Sequence, residues 1–96
     1  MVSAGTPDES DFREETLMEV LAELNPDAMA ADGFEDAAIG YTLNPFHRHV
    51  LVYDADHCLE ILEQDGMSAE EAVEWFEYNT LGAYVGPDGP LFVRVL

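Results

Sequence analysis

The chain has no lysine, a single cysteine, a single tryptophan and no acidic residue anywhere from 37 to 53. Each scarcity excludes something. With Cys58 alone, no intramolecular disulfide can form. Arg13, Arg48 and Arg94 face 21 carboxylates, for a net charge of -18 at pH 7. Such a charge repels phosphate backbones and anionic membranes, so direct contact with nucleic acid or membrane is not expected. No apolar run approaches the roughly 18–20 residues needed to cross a bilayer. The opening MVSAGTPDES has neither the basic start nor the apolar core of an ordinary signal peptide, so a cytoplasmic protein is expected. Gly-rich phosphate loops, nucleophile elbows and H-E-x-x-H spacings are missing too, which leaves no catalytic residue and no cofactor to assign.

What is present is enough apolar material for one core. Of 96 residues, 48% are hydrophobic and 10% aromatic, which is the composition of a folded chain despite the acidity. Residues 1–10 are small and polar and read as a tail, leaving 11–96 as a single domain. Leu17, Val20, Leu21 and Leu24 recur at helical spacing, and Asn25-Pro26 ends that helix because the residue before a proline avoids the α region. Phe34 is expected in the core, after a short helical turn. Two strands, around Ile39–Leu43 and Val50–Tyr53, flank the loop NPFHRH and form an antiparallel hairpin. Asp54 or Asp56 caps a second helix with Cys58, Ile61 and Leu62 inside, and Gly66 ends it. Ser68 and Glu71 form an S-x-x-E capping box for a third helix carrying Ala69, Ala72, Val73 and Phe76 on its inner side. Ala83–Val85 and Leu91–Val95 read as further strands. The expected fold is α+β in the order α-β-β-α-α-β-β, with helices on one face of a small mixed sheet.

Three constellations invite a functional reading. His47, His49, Asp54, Asp56, His57 and Cys58 are candidate metal ligands by type, but they lack any tight ligand spacing. An exposed loop, a helix cap and a buried thiol explain the same residues, so no metal is assigned. On the third helix, Glu70, Glu74 and Glu77 form a row of carboxylates about 5–6 Å apart between neighbours. Such a row can imitate the phosphates of a nucleic acid strand, although a solvated helix face accounts for it equally. Trp75 and Tyr78 lie off the main apolar stripe of that helix, where large aromatics serve either as interface anchors or as a second buried side.

The segments GFEDA (33–37), VYDADHCLEIL (52–62), DGMSAEEAVEWFEYN (65–79) and GAYVG (82–86) together resemble a small family of uncharacterised proteins of bacteriophages and bacterial genomes. The resemblance covers roughly residues 32–92, and this chain departs from the family in its Arg/His loop and its lack of lysine. It brings no activity with it. It implies a small accessory protein of mobile elements. The sequence then leads to a non-enzymatic, acidic protein-binding module whose partner is a basic, nucleic-acid-binding protein. An inhibitor of the anti-CRISPR or anti-restriction kind, acting as a DNA mimic, is one concrete form. The alternatives are a housekeeping domain of a salt-adapted cell, with acids for solvation only, or an acidic antitoxin. A homodimer is compatible with each.

The charge makes a thermodynamic prediction. Raising NaCl from 0.1 to 1 M shortens the screening length from about 10 Å to about 3 Å. The melting temperature should therefore climb by several degrees, and a flat or falling value in calorimetry would remove self-repulsion as a limit on stability.

Overall fold

The computed structural model describes residues 9–43, 48–82 and 85–96. Helix α1 spans Glu9–Leu24, and a 3-10 turn at Glu35–Ala37 leads into strand β1, Ala38–Tyr41. Strand β2 is Leu51–Asp54, followed directly by α2, Ala55–Gln64, and α3, Ala69–Phe76. A π-helical turn, Glu77–Leu81, prolongs α3, and β3 is Leu91–Val93. β2 is central, antiparallel to β1 and parallel to β3, so the sheet is small and mixed. Of the strand expected at 83–85, Ala83 and Tyr84 lie outside the described residues and Val85 is in no strand. α1 begins two residues before the Asp11 start read from the pattern, taking in part of the expected tail.

Local chemistry explains the boundaries. The Asp54 side chain accepts from the backbone N–H groups of Asp56 and His57, so Asp54 rather than Asp56 caps α2. At its other end, Gly66 takes φ +109°. Its N–H reaches Glu63 O and the Met67 N–H reaches Leu62 O, which completes a Schellman motif. The capping box of α3 is closed in both directions, Glu71 N to Ser68 Oγ at 3.1 Å and Ser68 N to Glu71 Oε1 at 2.9 Å. The Ser68 backbone N–H and hydroxyl hold the Glu71 carboxyl below its usual value. That contribution is present above the ordinary carboxylate range and is lost on acidification. Gly82 N bonds to Glu77 O at 2.8 Å, the i to i+5 closure of the π turn. A Cβ at position 82 would sit 2.9 Å from that same oxygen, so the turn needs glycine.

β1 ends at Tyr41, earlier than the expected Leu43. Thr42 replaces regular pairing: its N–H donates to Val50 O at 2.9 Å, and its Oγ1 accepts from Val50 N at 3.0 Å. The register also shifts between Ala38 and Gly40. Leu51, Tyr53 and Phe92 meet all three helices in one cluster that includes Leu21, Phe34, Cys58, Leu62, Ala72 and Phe76. Val52 stands opposite Leu91 and alternates with those inward residues. Leu91, Val93 and Ile39 remain exposed, so the outer face of the sheet is apolar as well.

The apolar stripe of α1 is turned from its expected position. Leu21 is buried and Leu17 and Met18 pack beside it, whereas Val20 and Leu24 are exposed. Polar residues take the inward slots at both ends. The Tyr53 hydroxyl donates to Glu14 Oε2 at 2.9 Å and accepts from Ala31 N at 2.8 Å. Burial, then the neighbouring carboxylates, push the Tyr53 phenol well above its ordinary value. This stabilises the fold up to the normal tyrosine range and is lost as pH rises through the shifted one. Asn25, only 6% exposed, donates Nδ2 to His49 O at 2.8 Å and to Asp88 Oδ1 at 3.0 Å. Its own Oδ1 accepts from Asp27 N at 3.1 Å. On α3, Ala72 and Phe76 are buried but Ala69 and Val73 are exposed, since the helix meets the core along a narrow line.

These bonds set an order of mutational cost. Ser68→Ala should lose about 1 kcal/mol as a missing N-cap. Asn25→Ala should lose more, up to about 3 kcal/mol, because it removes three hydrogen bonds of one almost wholly buried amide at about 1 kcal/mol each. Denaturant titration that finds Asn25→Ala the milder change would remove Asn25 as the tie between these segments.

Candidate acidic and aromatic surface

Glu70 and Glu74 lie on the side of α3 opposite Ala72 and Phe76, and Glu77 opens the π turn just beyond. All three are exposed. None of their carboxylates joins a hydrogen bond or ion pair among the described residues. The arginines are engaged elsewhere. Arg13 Nη1 donates to Ala38 O at 3.2 Å, Arg48 pairs with Asp88 at 3.1 Å, and Arg94 pairs with Asp56 at 3.1 Å. The acidic row therefore has no internal counter-ion among the described residues.

The two aromatics of this region part company. Tyr78 is 86% exposed, whereas Trp75 is 39% exposed and meets Phe34 edge-on at 6.4 Å between centroids. Asn79 Nδ2 donates to Trp75 O at 3.1 Å and braces the junction of α3 with the π turn. The turn contributes to two concavities. An open groove of about 1170 Å³ runs from Asn25 and Pro26 past Arg48 and His49 to Thr80, Leu81 and Pro90. A smaller cavity of about 230 Å³ lies between the 29–34 segment and Trp75.

The candidate metal ligands are dispersed into other tasks. His47 lies outside the described residues. His49 is half-buried rather than in an exposed loop, with Nδ1 2.8 Å from Thr42 O. Asp54 caps α2, Asp56 pairs with Arg94, and His57 sits in the first turn of α2. Among the described residues, no three His, Cys, Asp or Glu side chains converge on a point that could hold a metal. Cys58 is fully buried, and burial first, then Asp54, pushes its thiol up to about 12. A thiol so placed behaves as a small apolar side chain.

The Asn25–Asp88–Arg48 junction and both concavities went unread in the sequence. Their partners are far apart along the chain, and no short-range spacing signals them. Comparison with protein-family models, with curated proteins and with solved structures gave no match to this chain. Among the described residues, no helix is long and apolar enough to cross a membrane.

The thiol offers a check on this packing. At pH 8, a disulfide reagent should modify Cys58 in the native protein roughly a hundredfold more slowly than in denaturant. Prompt native labelling would mean that the core around α2 is open.

Proposed function

We propose that this chain is a non-catalytic, acidic protein-binding module that docks the exposed face of α3 and its π turn onto a basic surface. The reading rests on Glu70, Glu74 and Glu77 standing together, exposed and without a counter-ion among the described residues, beside the exposed Tyr78. A surface of this kind attracts a positively charged groove at long range and supplies an aromatic anchor at contact. The matching partner is a protein whose groove ordinarily holds a nucleic acid. Occupation of that groove makes the chain an inhibitor by imitation, of the anti-CRISPR or anti-restriction type if the target belongs to a defence system. An antitoxin acting on a basic toxin would use the same chemistry.

A second reading draws on a different observation. Exposed acids also cover α1 (Glu15, Glu19, Glu23) and α2 (Glu60, Glu63). Charge spread over all three helices suits a housekeeping domain of a salt-adapted cell, where carboxylates serve solvation.

Capture from nuclease-treated host lysate at 0.1 M salt separates the two. Glu70→Lys, Glu74→Lys and Glu77→Lys together should weaken retention of a basic partner tenfold or more, and duplex DNA should compete for the same partner. The fold should survive, because exposed helix positions accept lysine at little cost. Identical partner profiles for the two proteins would eliminate the α3 surface, and an empty profile would favour the solvation reading.

A further inference from the structure

We propose that the smaller cavity, beside Trp75, receives an arginine side chain from the basic partner. This deepens the protein-binding reading, on which it rests, by naming the residue type recognised. The cavity, about 230 Å³, is bordered by Phe34, Trp75 and Phe92, with Asp32 its one charged residue and Asn79 and Thr80 its other polar ones. Its aromatic wall is fixed from behind. Phe34 meets Phe76 edge-on at 5.9 Å, and Phe76 meets Phe92 edge-on at 5.3 Å. Phe34 and Phe76 are themselves buried, so the wall cannot swing away without opening the core.

Charge selects the occupant. The Asp32 carboxylate is exposed and makes no hydrogen bond or ion pair among the described residues. It lies in the field of a chain of net charge -18, and none of the chain's own arginines lines the cavity. An anion would meet Asp32 and be repelled. A purely apolar guest would make no use of that carboxylate. An aliphatic stem ending in a cation satisfies both parts of the site. Arginine fits better than lysine because its planar guanidinium stacks on aromatic rings, is less strongly hydrated and can take a carboxylate bidentately.

Trp75 is the chain's only tryptophan, so its fluorescence reports on the site directly. The intact protein is titrated with N-acetyl-arginine amide and with N-acetyl-citrulline amide, its uncharged isostere, at low salt. A saturable change is expected with the arginine probe, with affinity about tenfold above that of the citrulline probe. Asp32→Asn should weaken the arginine probe severalfold while leaving the citrulline probe unchanged. That substitution removes one of 21 carboxylates, so its effect distinguishes the cavity from the general field. Circular dichroism checks that the variant is folded. Equal response to both probes, no saturable response to arginine, or an indifferent Asp32→Asn would each overturn the proposal. The probes need no partner, so a failed titration beside a successful capture from lysate rejects the cavity alone. A successful titration beside an empty capture rejects the wider binding reading.

Discussion

The side-chain amide of Asn25 ties together three stretches of chain that have no regular pairing with one another. It stands just past the end of α1 and is almost wholly buried. One nitrogen serves the carbonyl of His49 before β2 and the carboxylate of Asp88 in the turn before β3. The oxygen takes the N–H of Asp27 and turns the chain after Pro26. Asp88 in turn accepts from Arg48, and its carbonyl accepts from Met29 N. A buried amide used this fully matters to the fold, because removing it deletes three hydrogen bonds between separate segments at once. It also sets the end of α1 against the sheet and so shapes one wall of the larger groove.

This constraint explains why the first helix was only partly legible. Its spacing gave Leu17 and Leu21 correctly, but periodicity alone counts Val20 and Leu24 as equals of Leu21. The face that packs Leu17, Met18 and Leu21 also brings Glu14 to Tyr53 and Asn25 to Asp88, and Val20 and Leu24 are left exposed. By contrast, Gly66, Ser68 and Glu71 could be placed from sequence because their bonds close within a few residues. Asp54 and Asp56 were equivalent on paper, and only the backbone geometry gives the cap to Asp54. The π turn was unreadable, since its residues continue an ordinary helical pattern until Gly82.

The candidate surface was legible to the same degree. Glu70, Glu74 and Glu77 are a local row, and their exposure follows from Ala72 and Phe76 facing inward. The state of the arginines does not follow from anything local. Each reaches a partner at least 25 residues away, from Arg13 to Ala38 at the nearest. Trp75 and Tyr78 looked alike in sequence, yet Phe34 arrives from another segment to cover part of one and leaves the other in water.

The parallel pairing of β3 with β2 bears on how the chain reaches this state. The β1–β2 hairpin is local and can form early, but β3 joins β2 only after α2 and α3 have folded back across the intervening length. Closing so long a loop must be compensated by contacts made at the end, which slows the search. Phe92 supplies them: it stacks on Tyr53 at 5.5 Å and meets Phe76 edge-on at 5.3 Å. Until then the apolar run at β2 has an open edge, the kind of surface that recruits other chains. During synthesis, that edge stays vulnerable from the time Leu51–Asp54 emerge until Leu91–Val93 follow.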